Sequence, residues 1–149
     1  MNIKISTAVE QPYQTVMQGF NEELFMRLNP PFPPVRLLRF DGCKKGDAVA
    51  LELNFIFFKQ QWLSKIVEDD FDQEEFYFID KGTRLPFFLK YWHHRHRIIK
   101  NSQGSTIVDD ITFKSPSPLL DFLLWPVLWL QFLYRKPIYK KIFSSKGIK

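Results

Sequence analysis

The chain has one cysteine, Cys43, so no disulfide can close within it. It has no apolar stretch of the roughly 18–20 residues that a spanning helix needs. Its longest apolar run, residues 119–134, is shorter and contains Asp121 and Pro126. Its opening, MNIKISTAVEQP, has no basic segment leading into an apolar one, which argues against a signal peptide. These absences predict a cytoplasmic, reducing setting and no transmembrane helix. Glycine is sparse. The turn DGCKKGD holds two of the six, but without the spacing or the following helix of a phosphate-binding loop. No internal repeat and no low-complexity segment is present, so 149 residues predict one domain over 1–143, followed by a basic flexible tail over 144–149.

Charge is missing by sign and by region. No lysine or arginine falls among Glu68, Asp69, Asp70, Asp72, Glu74, Glu75 and Asp80, which reads as a solvated acidic turn. No acid falls among Arg135, Lys136, Lys140, Lys141, Lys146 and Lys149, which end the chain. That basic end could attract an anionic surface. Nucleic acid is not expected as a partner, because the aromatic residues sit in strand registers that point inward rather than on an exposed basic face.

What the sequence has in quantity is aromatic bulk: 16 Phe and 4 Trp. Such side chains fill a heavy core or line an apolar pocket. Residues 2–9 alternate as a half-buried strand. Pro12 then opens two short helices that break around Gly19 to Asn21, and the run NPPFPP (29–34) stops any helix. Strands are predicted at Val35–Asp41, Ala48–Phe57, Gln61–Glu68, Glu74–Asp80, Leu89–Lys100 and Thr106–Lys114, the last two joined by a hairpin turn at 101–104. The final helix, from Pro118, is apolar at nearly every angle, with Asp121 and Gln131 its only polar residues before Tyr134. Its outer side must therefore be covered by loops, by another copy of the chain or by a membrane surface. Trp125 and Trp129 share one of its faces beside the basic run RKPIYKK, a pattern suited to weak membrane-surface docking. Pro126 is expected to kink it.

Candidate chemistry gathers on the last two strands. His94 and His96 share a face with apolar Trp92 and Ile98, so this face is predicted to point inward, with His93, Arg95 and Arg97 outward. Asp109 shares a face with Ile107, Ile111 and Phe113, and a hairpin brings it near His94 or His96. The three groups can be a structural hydrogen-bonded set, a polar anchor for a ligand headgroup, or acid/base groups of an enzyme. No metal site is expected from His-x-His and one Asp alone. Cys43 has no histidine adjacent in sequence and is not a catalytic candidate.

This order of elements, with the segments VEQPYQTVMQGF, LRFDGCKKGDAVAL, PFFLKYWHHRHRI, GSTIVDDITFKSP and FLYRKPIYKKIF, resembles the START-like helix-grip superfamily (SRPBCC, birch-pollen-allergen-like), and within it the ligand-binding members related to polyketide cyclase/dehydrase proteins. The points of contact are Trp92 with His94, Thr106 with Asp109, and Phe132–Arg135. The resemblance implies an α+β helix-grip fold: a curved seven-stranded antiparallel sheet with two short helices and a long C-terminal helix enclosing a cavity. It implies a hydrophobic small-molecule ligand such as a lipid, isoprenoid or polycyclic compound, or else a cyclase, dehydratase or hydrolase-type reaction using His94, His96 and Asp109. Beside those three and Trp92, the expected ligand-binding residues are Phe55, Ile111, Phe113, Trp125 and Leu128, with Leu124 to Leu128 as a bend that gates the pocket. No cofactor is implied, and the chain is expected as a monomer or homodimer.

Overall fold

A computed structural model describes residues 1–146. The expected tail over 144–149 therefore lies partly outside the described residues. Seven strands form one antiparallel sheet in the order β1-β7-β6-β5-β4-β3-β2. They are β1 (Asn2–Val9), β2 (Val35–Phe40), β3 (Ala48–Asn54), β4 (Lys59–Phe71), β5 (Glu75–Arg84), β6 (Tyr91–Asn101) and β7 (Gly104–Lys114). The short helices α1 (Tyr13–Gln18) and α2 (Glu22–Arg27) follow β1. The chain ends in α3 (Pro118–Leu133) and α4 (Arg135–Ile142). This is the helix-grip arrangement that the resemblance implies.

Local chemistry accounts for the elements. In β1 every second residue is buried, and Ile3, Ile5, Thr7 and Val9 form its inner face. Asn21 caps α2 by accepting from the Leu24 amide at 3.0 Å, with Glu22 and Glu23 in the first turn. Ser117 caps α3 by accepting from the Leu120 amide at 3.3 Å, with Pro118 and Asp121 in its first turn. The β6–β7 hairpin closes between Asn101 and Gly104. Gly104 has φ +151°, and a Cβ there would lie 2.4 Å from the Val9 carbonyl oxygen, so only glycine fits. Register shifts at Leu37/Arg39, Leu63/Ser64 and Ile66/Glu68 put bulges into β2, β5 and β4 respectively, the devices that bend a sheet.

Several boundaries differ from expectation, among them the end of β5, which runs on to Arg84 rather than Asp80, and the following three. β3 stops at Asn54 rather than Phe57: Ile56 takes φ +74°, the Phe55 amide bonds the Phe58 carbonyl, and Phe57 is 93% exposed. The alternating pattern continues there without a sheet to bury it. β4 runs on to Phe71, so Glu68, Asp69 and Asp70 lie in a strand. The turn shrinks to residues around Asp72, whose carboxylate accepts from the Glu74 and Glu75 amides at 2.8 and 2.9 Å. α3 runs unbroken through Pro126, which is exposed, and the interruption falls at Tyr134. No helix among the described residues is long and apolar enough to cross a membrane.

The helices pack chiefly on β1, β5, β6 and β7. Two clusters result. One joins α1 and α2 to Phe76, Phe78, Ile98, Tyr139 and Phe143; the other joins Ile3, Ile5, Trp92, Ile111 and Phe113 to Leu128 and Phe132 of α3. The outer side of α3 is uncovered: Leu119, Phe122, Leu123 and Leu130 are exposed. Trp125 and Trp129 lie elsewhere. They stack on each other at 6.2 Å against the second cluster, and the Trp125 indole donates to the Asn2 carbonyl at 2.8 Å.

Candidate functional site

Between the helices and the β2–β5 side of the sheet lies a cavity of about 520 Å³. Val49, Leu51 and Leu53 of β3, with Phe55 just beyond its end, face it from one side, Phe20, Leu24 and Leu28 from the α1–α2 segment, and Leu124, Val127, Leu128 and Phe132 from α3. Its polar contributors include Ser64, Asp80, His94, His96, Gln131 and Arg135. The volume lies within the ordinary range for a small-molecule pocket, and an apolar wall with a few convergent polar groups is the usual make-up of one.

The polar group is built by register. On β6, Trp92, His94, His96 and Ile98 share the inner face. On β7, Asp109 sits directly across from His96, and on β5, Asp80 sits directly across from His94. Each imidazole therefore lies between two carboxylates. His94 Nε2 is 2.9 Å from Asp109 Oδ1 and its Nδ1 is 3.5 Å from Asp80 Oδ2. His96 Nε2 is 3.0 Å from Asp80 Oδ2 and its Nδ1 is 3.8 Å from Asp109 Oδ1, beyond hydrogen-bond reach. The Trp92 indole N–H donates to Asp80 Oδ1 at 3.1 Å. The Arg135 guanidinium lies over the Phe132 ring and 3.8 Å from Asp109 Oδ1. The imidazoles are 3.5 Å apart, and His96 stacks on Phe78 at 4.2 Å.

Burial and charge act against each other here. Burial, then the neighbouring His94, push His96 down to about 4 against the pull of Asp80, so its imidazole is neutral at pH 7. Burial penalises the charge on Asp80. The His96 hydrogen bond, His94 and Trp92 outweigh that penalty and hold its carboxyl below the usual range. Asp109 follows the same logic through His94 and Arg135. The site thus holds two carboxylates, one guanidinium and imidazoles in an otherwise apolar enclosure.

Of the residues expected from sequence, Phe55, Trp92, His94, His96 and Leu128 line the cavity. Asp109 lies behind His94, 1% exposed, and is not part of the lining. Ile111 and Phe113 do not line it either, because they are fully buried in the cluster under α3. Trp125 turns to the β1 edge instead. Sequence reasoning missed Asp80 and Arg135 as cavity residues. Asp80 follows Phe76 and Phe78 at strand spacing, which puts it on their inward face; the acidic run around it hid that signal. Arg135 and Tyr139 are four apart on α4, and so share a face.

No family model matches the sequence, and no curated protein matches it. Solved structures do match in fold. Protein Ms6760 from Mycobacterium smegmatis is 14% identical with a TM-score of 0.68, over 98% of this chain and 92% of that one. A norcoclaurine synthase point mutant from Thalictrum flavum, in complex with a transition-state analogue, is 10% identical with a TM-score of 0.68, over 96% and 93%. The Zhui aromatase/cyclase from a Streptomyces species is 12% identical with a TM-score of 0.61, over 99% and 98%. At these identities the likeness is one of fold.

Proposed function

We propose that this chain, which has the START-like helix-grip fold, binds an apolar small molecule in its internal cavity, with one polar group of the ligand set against the His96–Asp80 end. The observation that carries this reading is the cavity itself: about 520 Å³, walled by Phe, Leu and Val, with a small cluster of polar side chains. Burying an apolar body there gains roughly 25 cal/mol for each Å² withdrawn from water, and the polar cluster fixes orientation. A lipid, an isoprenoid or a polycyclic compound has this character. The fold neighbours include a synthase with a transition-state analogue and an aromatase/cyclase, which supports the class of ligand and nothing finer. The single thiol, Cys43, fits the reducing cytoplasm. Native mass spectrometry of the chain isolated from its own host tests the reading. An adduct of one small molecule per chain, lost in Leu51→Trp, is expected. A protein that arrives empty and takes up no apolar probe would refute it.

A second reading is favoured by one specific feature. Two histidines hydrogen-bonded to two carboxylates in a cavity wall are a set able to move protons in a cyclase, dehydratase or hydrolase-type reaction. Conversion of the bound ligand that stops in His94→Gln, with binding retained, would establish catalysis. A ligand recovered unchanged after prolonged incubation removes it.

A further inference from the structure

We propose that Asp80, His94 and His96 form a binding site for a divalent transition-metal ion at the polar end of the cavity, with Asp109 as the outer carboxylate that orients both histidines. The site does not depend on the cavity taking an organic ligand.

One donor atom from each of the three residues lies within 4.8 Å of the others. Asp80 Oδ2 is 3.0 Å from His96 Nε2 and 3.5 Å from His94 Nδ1. A tetrahedral ion held at about 2.0–2.2 Å by nitrogen and oxygen sets ligand-to-ligand edges of roughly 3.3 Å, so these two edges already bracket what it needs.

The protons fit as well. His94 Nε2 is hydrogen-bonded to Asp109, and its other ring nitrogen, Nδ1, faces the Asp80 carboxylate at 3.5 Å. The His96 Nδ1 is buried and has no hydrogen-bond partner among the described residues, while Asp109 Oδ1 stands 3.8 Å away. Placing the ring proton of His96 on Nδ1 rather than Nε2 turns that orphaned atom toward the Asp109 carboxylate. Nε2 is freed to bind the ion beside His94 Nδ1, and the new Nδ1–H points to Asp109. Each histidine would then ligate with the nitrogen that faces Asp80 and turn its other nitrogen toward Asp109, at 2.9 Å for His94 and 3.8 Å for His96, an approach to the carboxylate–histidine–metal pattern of protein metal sites.

Charge agrees. Asp80 and Asp109 set two carboxylates beside the single guanidinium of Arg135 in an apolar enclosure, surroundings that favour a cation. Two imidazoles and one carboxylate select zinc, cobalt or ferrous iron over magnesium and calcium, which prefer all-oxygen sites. Asp80, His94 and His96 all line the cavity, so the ion's remaining positions would open to it.

The test is titration of tag-free, metal-stripped protein with zinc against a chromophoric chelator, and with cobalt monitored by visible absorption. One equivalent should bind, with a cobalt spectrum showing nitrogen ligation. Asp80→Asn and His96→Gln should each weaken binding at least about tenfold. His93→Gln, on the opposite face of β6, should leave it unchanged. Should the variants fail to fold, nitrogen NMR of the wild-type imidazoles decides: zinc should shift His94 and His96 and leave His93 in place. Absence of stoichiometric uptake overturns the proposal, as does uptake that survives His96→Gln or shifts His93 instead.

Discussion

The two halves of the sheet are built differently. On β1, β7 and β6 the inward residues are almost all buried: α3 and α4 lie on β1, α3 on β7, and α1 on β6 and β7. On β2 and β3 the inward residues are mostly half-buried: Val35, Val49 and Leu51 face the cavity, and no residue of β2 is buried. Both halves are comparably apolar in sequence. The difference lies in what covers them, since one half meets the C-terminal helices and the other meets the cavity. A packed half resists change, while a half that faces open volume can adapt to a guest. The polar cluster stands where the two meet, held by β5, β6 and β7 and lining the cavity through Asp80, His94 and His96.

The largest expected contrast is in stability. Phe113→Ala empties a fully buried site and should cost about 3–5 kcal/mol in urea unfolding. Leu51→Ala only enlarges an existing cavity and should cost about 1 kcal/mol. Equal losses at the two positions would break the comparison. Asp109→Ala comes next. It leaves the His94 Nε2–H without its acceptor inside the packed half, for a loss of about 1–3 kcal/mol by the same measurement. Tyr139→Phe should do little. The Tyr139 hydroxyl is fully buried without a hydrogen-bond partner among the described residues, so its removal should be neutral or stabilising by up to about 1 kcal/mol. A large destabilisation would show that the hydroxyl has a partner.

The smallest effect sharpens the comparison from the cavity side. Cys43 lines the cavity, and burial, then the charges of Asp47, Asp80 and Asp69, push its thiol up to about 12. Alkylation by iodoacetamide near about pH 8 should run at least about a hundredfold slower than in the unfolded chain, because so little thiolate is present. An apolar probe that fills the cavity should slow it further. A rate indifferent to the probe would place the probe elsewhere.

Much of this was legible in the sequence, and the exceptions have physical causes. The strands announce themselves because one face of each is buried, so apolar residues recur at spacing two. His94, His96 and Asp109 could be placed inward for that reason, by the company of Trp92, Ile98, Ile107 and Ile111. The same rule misled at Ile56–Phe57, where apolar alternation continues past the last ladder bond into an exposed turn. It was overlooked at Asp80, where a local excess of acid reads as solvent although the strand register turns that residue in. The helix without a polar stripe was also legible, but not which side stays bare. Trp125 and Trp129 pack beside β1, and leucines and a phenylalanine face outward, because the tertiary placement of a uniformly apolar helix is not encoded in its periodicity.

The account rests on the β2–β4 half being the binding half, and methyl NMR tests that most directly. Titration with the apolar probe anilinonaphthalene sulfonate should move the methyl signals of Val49, Leu51, Leu53 and Ile66 and leave those of Ile3, Ile5 and Ile107 in place. Shifts confined to Leu119, Leu123 and Leu130 on the outer face of α3, or no shifts at all, would contradict it.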